Sequence, residues 1–136
     1  IHKEEQAIIE NVQRRNTKLV PGIKGFVTNE RRLEELNLPT LEYCQQRFDM
    51  IILYKMLTTN WTLTTKMFNV ANVPHGTRGH PYKIVKPRVN KTVRLNSFSH
   101  RVINNWNNLA SDIVCAESVT IYKTWISKRF KTSDIY

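Results

Sequence analysis

Thr40-Leu41-Glu42-Tyr43-Cys44-Gln45-Gln46-Arg47-Phe48-Asp49-Met50-Ile51-Ile52-Leu53-Tyr54-Lys55-Met56 is the stretch that decides the fold. Leu41, Cys44, Phe48, Ile51, Ile52 and Met56 recur at three- and four-residue spacing, the repeat of a helix with one apolar face. Leu38-Pro39-Thr40 just before it combines a stop for one helix with a hydroxyl cap for the next. The spacing predicts a helix over 40–58.

Upstream, residues 3–19 place Ile8, Ile9, Val12 and Leu19 on one helical face. Glu4, Glu5 and Glu10 come early and Arg14, Arg15 and Lys18 late, as the helix dipole favours. Pro21-Gly22 ends that helix. Thr28 can cap a short helix carrying Leu33 and Leu36. Three helices with short connections predict an antiparallel helical unit over 1–58.

Downstream the pattern breaks. Thr58-Thr59-Asn60-Trp61-Thr62-Leu63-Thr64-Thr65 is uncharged and rich in β-branched residues, so 59–74 reads as a linker or a short extended piece. A helical turn or two can follow through Met67 and Phe68. Pro74, Gly76, Gly79 and Pro81 bring loop chemistry. Tyr82–Pro87 and Thr92–Asn96 alternate apolar with basic or polar residues and read as two short strands, or as extended arms. A helix over 97–109 carries Phe98, Val102, Ile103, Trp106 and Leu109, capped by Ser97 or Ser99. A last helix starts at Ser118 with Val119, Tyr122, Ile126 and Phe130. The fold class is mainly α: a helical bundle with a short β-hairpin or an extended basic arm. Residues 75–136 then form the basic arm plus a two-helix tail.

Composition agrees with a packed domain. The 136 residues are 40% hydrophobic and 10% aromatic, with four Gly and five Pro. That is too apolar for a disordered tail and too poor in Gly and Pro for a low-complexity linker. No apolar run approaches the ~18–20 residues of a membrane span. The chain begins at Ile1 rather than Met, and reads as a piece of a longer protein. Cys44 and Cys115 lie far apart without metal-type spacing and read as two buried small hydrophobes rather than a disulfide.

Charge is the first functional clue. The net charge is +10, and it is lopsided. Residues 1–58 hold nine basic and eight acidic side chains, whereas 59–136 hold twelve and three. The segment from His75 to Arg101 contains Arg78, Lys83, Lys86, Arg88, Lys91, Arg94 and Arg101 with no Asp or Glu. A solvated surface normally mixes signs. Cations spaced two to seven residues apart along an extended arm suit successive phosphates of a nucleic acid. Tyr82, Phe98 and Trp106 offer rings for base stacking, although Phe98 and Trp106 fit a helical core stripe better.

Catalytic chemistry is poorly supplied. There is no Gly-rich phosphate loop, no GxSxG, no HExxH and no closely spaced acidic pair for two-metal nucleotidyl transfer. His75, His80 and His100 lack a neighbouring carboxylate to complete a metal site. His100 with Asn104 and Asn108 could be drawn as a nuclease-like cluster, but they fit one helix face better. No catalytic residue and no metal site are expected.

An ordered series of short motifs adds to this reading: Val12-Gln13-Arg14-Arg15 with Pro21-Gly22; Glu30-Arg31-Arg32-Leu33; Leu38-Pro39-Thr40-Leu41-Glu42-Tyr43; Asp49-Met50-Ile51 with Tyr54-Lys55; Thr77-Arg78-Gly79-His80; Lys86-Pro87; Phe98-Ser99-His100-Arg101-Val102-Ile103-Asn104 with Trp106-Asn107; and Ser118-Val119 with Tyr122-Lys123. Across about residues 5–130 this resembles the region downstream of the polymerase core in reverse transcriptases of Jockey-like non-long-terminal-repeat retrotransposons. The resemblance implies that 1–58 is a thumb-like unit cradling the template–primer duplex, and that 75–130 touches template or element RNA. It implies that the endonuclease and polymerase lobes lie upstream. The catalytic Asp pair and its Mg²⁺ would belong to the absent palm, so no cofactor is expected in this chain. Partners would be RNA or an RNA–DNA hybrid and the upstream polymerase lobes, with no membrane and no small-molecule substrate, and the full protein would work in the nucleus.

Carried over by the resemblance as backbone contacts are Arg78, His80, Lys83, Lys86, Arg94 and Arg101, with Lys18 and Arg47 weaker; Arg88 and Lys91 come from the charge run itself. Thr77-Arg78-Gly79-His80 reads equally as a tight turn needing Gly79. The expected function is therefore a non-catalytic, nucleic-acid-binding region of an RNA-directed DNA polymerase. The alternative is a docking module that packs on the polymerase body without its own nucleic-acid affinity.

Overall fold

The computed structural model describes residues 3–23, 28–71 and 79–131. Among them are eight helices and no sheet: α1 Lys3–Lys18, α2 Asn29–Glu35, α3 Leu41–Thr59, α4 Trp61–Met67, α5 Thr92–Leu95, α6 Phe98–Asn107, α7 Ser111–Val114 and α8 Val119–Lys131. The mainly helical class holds.

Local chemistry sets the boundaries. Thr28 accepts a hydrogen bond from the Arg31 amide at the start of α2, and Thr40 accepts one from Tyr43 at the start of α3. Asn37 sits at φ 52°, and the Asn37 and Leu38 amides donate back to the Glu34 and Leu33 carbonyls. That is the left-handed C-terminal cap in which Asn substitutes for Gly. Ser118 caps α8 through the Ile121 amide.

The core lies where α3 packs on α6 and α8. Met50, Leu53 and Tyr54 from α3 meet Val102, Ile103 and Trp106 from α6 and Tyr122 and Ile126 from α8. The Tyr54 and Tyr122 rings stack with centroids 4.1 Å apart, and the Tyr54 hydroxyl donates to the Ala116 carbonyl. The apolar stripe expected of α6 is the one found: Val102, Ile103, Trp106 and Leu109 are buried and Phe98 packs against them.

Three expectations are corrected. Phe48 is 56% exposed and Ile52 is exposed, while Tyr43, Asp49, Met50, Leu53 and Tyr54 are buried. α3 carries apolar residues all round, so its periodicity could not select the buried face; α6 and α8 select it. Residues 61–67 are helical rather than extended. Asn60 ends α3 and caps α4 through the Leu63 amide, so two helices abut where β-branched residues suggested a linker. There is no hairpin among the described residues. An isolated antiparallel bridge joins Val70 to Ile84, and 92–95 is a helical turn, not a strand. Residues 85–91 lack regular structure, as the extended-arm alternative allowed.

One ion pair ties the two charge halves together. Asp49 on α3 takes both Arg101 Nε and Nη2 of α6, at 2.7 and 2.9 Å. The Arg101 side chain keeps 31% of its exposure and the Asp49 side chain 11%. Removing one partner of a fully buried pair costs ~3–5 kcal/mol; partial solvation lowers that here. Asp49→Ala should destabilise the fold by about 1–3 kcal/mol, read from the urea midpoint. An unchanged midpoint would remove the pair from any account of stability.

Candidate nucleic-acid interface

The basic run is held against α6 by a ladder of side chains. His100 Nε2 donates to the Pro87 carbonyl at 3.2 Å. Asn104 Oδ1 accepts from Lys86 Nζ at 3.0 Å. Asn107 brackets Ile84, accepting from its amide at 2.9 Å and donating to its carbonyl at 2.8 Å. Trp106 Nε1 donates to the Tyr82 carbonyl at 2.7 Å, and its own carbonyl accepts from His80 Nε2 at 2.9 Å. From His100 through Asn104 to Trp106 and Asn107 on α6, the partner positions move back from 87 through 86 to the stretch 80–84. The run therefore lies antiparallel along the helix.

This arrangement sorts the predicted residues. Lys86, Arg88, Lys91 and Arg94 are exposed, and Lys83 is half-buried with its stem over Gly79. Gly79 has φ 115°, a backbone angle that favours glycine, while the rest of the expected turn, Thr77 and Arg78, lies outside the described residues, as does His75. Among the weaker candidates, Lys18 is exposed, and Arg47 donates to Ser127 Oγ at 2.8 Å.

His80 and Arg101 do not belong with these surface cations. His80 is 2% exposed, edge-on to Trp106 with centroids 5.5 Å apart, and cannot reach a phosphate. Burial, with Lys83 nearby, holds its pKa below the ordinary 6.5 against the opposing pull of the Trp106 carbonyl. Arg101 is spent on Asp49. The two were legible as basic residues in a basic segment; only their three-dimensional neighbours show that His80 is buried and that Arg101, partly exposed, is paired with Asp49.

The residues that position the run were not singled out for that role. His100 and Asn104 were visible in the sequence as polar positions on one helix face, and Asn107 completes the i, i+4, i+7 spacing beside them. A polar stripe on a helix otherwise devoted to the core is the signal that could have found them. The aromatic expectation holds: Trp106 is wholly buried, Phe98 packs on the core, and Tyr82 alone of the three is exposed. Both cysteines are free thiols, Cys44 half-buried and Cys115 exposed rather than in the core. Among the described residues, no three His, Cys, Asp or Glu side chains converge as metal ligands. None of the described helices is long and apolar enough to cross a membrane.

Comparison with protein-family models, with curated proteins and with solved structures gives no match.

Because His80 is held neutral in the fold and titrates at its ordinary pKa when unfolded, the unfolded chain takes up the proton first as pH falls. Stability should drop as pH is lowered from about 6.5 toward the depressed folded value. Thermal melts between about pH 7.5 and 5 should show a smaller acid loss for His80→Gln than for the parent chain. Equal losses would assign the acid sensitivity elsewhere.

Proposed function

We propose that this chain is a non-catalytic, nucleic-acid-binding region of a retrotransposon RNA-directed DNA polymerase. It holds template RNA or the template–primer duplex through Lys and Arg contacts to phosphate, while the chemistry and its Mg²⁺ belong to a palm outside this chain. Its place of work is the nucleus. The observation that carries the reading is the run Lys83, Lys86, Arg88, Lys91 and Arg94, which contains no Asp or Glu and whose first part, as far as Pro87, is braced along α6. Long cationic side chains lose entropy on binding, and a braced backbone reduces the remaining ordering cost. Attraction to phosphate with release of counterions is salt-dependent and indifferent to sequence. The retroelement assignment itself rests on the motif series from Val12 to Lys123.

A second reading is favoured by a different surface. Ile8, Ile9, Val12 and Leu19, the expected core face of α1, are exposed, Leu19 at 80%. Ile8, Ile9 and Val12 line a shallow groove of about 680 Å³ together with Leu36, Leu38 and Leu41. α1 is tethered to the start of α3 by polar contacts, Gln13 to the Pro39 carbonyl and Glu10 to the Glu42 amide. An apolar face left open in this way suits docking on the upstream polymerase lobes.

Titration of a labelled RNA over about 50–200 mM salt tests the first reading. Lys86→Gln, Arg88→Gln and Lys91→Gln together should lower the slope of log K against log salt by about 2–3, with helicity unchanged. An unaltered slope would sink the assignment of those three residues. Val12→Glu separates the second reading from the first. It should abolish association with the upstream lobes supplied in trans, yet leave RNA affinity within about twofold and stability within about 0.5 kcal/mol. Undiminished association would retire the α1 face as a docking surface.

A further inference from the structure

Trp61 and Tyr82 lie 21 positions apart in the sequence and are 51% and 43% exposed. They share the walls of the same two clefts. One, of about 780 Å³, also takes in Lys66, Met67 and Pro81. The other, of about 420 Å³, is floored by Tyr54, Leu57 and Trp106. Both volumes fall within the ~300–1,000 Å³ of small-ligand sites, and no Asp or Glu is among the described residues lining either.

Each ring stands on a fixed backbone. Trp61 is the first residue of α4, whose N-terminus is capped by Asn60 and anchored by the fully buried Thr64. The Tyr82 carbonyl is pinned by Trp106 Nε1, and the ladder bonds of His80 and Ile84 hold the chain on either side. Tyr54, Phe68, Trp106 and Tyr122 are buried, whereas Trp61 and Tyr82 keep large apolar faces toward water beside the cation run. Lys66 lines the larger cleft, and Lys83 follows Tyr82 directly.

We propose that Trp61 and Tyr82 form a stacking site for unpaired bases, so that the nucleic acid held by the basic run is single-stranded where it crosses α4. The proposal rests on the nucleic-acid reading given above and names its substrate class. Bases in a duplex are already stacked and cannot offer a face to a cleft between two rings; an unpaired base can, whatever its identity. The adjoining lysines and arginines then follow the backbone of the same strand. RNA and DNA single strands share this chemistry, and separate oligouridine and oligothymidine arms of the test distinguish them.

The experiment compares the parent chain with Trp61→Leu, Tyr82→Leu and the ring-preserving Trp61→Phe. Binding of a short oligouridine, a short oligothymidine and a blunt duplex is measured over salt, with melting temperatures as the check on folding. The two Leu variants should each lose roughly 5- to 150-fold in single-strand affinity, the range set by one base–aromatic stack. Duplex affinity, salt slope and melting temperature should stay as in the parent, and Trp61→Phe should retain most of the affinity. Single strands bound by both Leu variants as tightly as by the parent, with the salt slope intact, would overturn the stacking site and leave the nucleic-acid reading standing. No binding of any strand at low salt from a folded chain would overturn both.

Discussion

The rest of the structure depends on Trp106 being used twice. Its ring is sealed in the core with Ile103 and Tyr122, so α6 cannot rotate without opening its interface with α3. Its indole N–H and backbone carbonyl face the other way, holding the Tyr82 carbonyl and the His80 ring. A buried indole N–H without an acceptor costs about 1–3 kcal/mol, and loop 80–82 satisfies it while being located by it. Core packing is thereby converted into the placement of a surface segment. His100, Asn104 and Asn107 extend that placement along the helix.

This coupling explains how a chain with net charge +10 keeps a dense basic surface without losing its fold. Net charge favours expansion through self-repulsion. The chain answers locally: Arg101 is neutralised by Asp49, and His80 is held neutral by burial. Lys86 lends its ammonium to Asn104 and remains at the surface. The remaining repulsion is concentrated in a run with little regular structure to disrupt. It is lowered when a polyanion is bound, so the strain and the proposed function act at the same place.

The two surfaces proposed for partners differ in character. The run and the Trp61–Tyr82 clefts combine cations with aromatic faces, whereas the α1 groove is aliphatic and lined by uncharged side chains. A polyanion gains little on the second, and an apolar partner is poorly served by the first. The division runs along the chain as well, with α1 before the shared helix α3 and the cationic run after it. α3 belongs to both sides, because the core joins it to α6 and α8.

The positions of α1, α2, α3, α6 and α8, their caps and the charge asymmetry were legible in the sequence because each depends on near neighbours, whereas α4, α5 and α7 were not read as helices there. Thr28, Thr40 and Ser118 cap within three residues, the α6 stripe has a polar opposite face, and the missing acids between His75 and Arg101 need no coordinates to be seen. What the sequence could not decide were choices among equals. α3 is apolar all round, so only contact with α6 and α8 leaves Phe48 and Ile52 outside and brings Met50, Leu53 and Tyr54 in. α1 has a good apolar stripe but too little covering it. Among the basic residues of one segment, spacing cannot say which has a distant partner: Asp49 claims Arg101 across 52 positions, and Trp106 claims His80 across 26. Local sequence determines what a segment can be; pairings made over such distances exist only once the core has closed, and they decide which of its side chains are left to act.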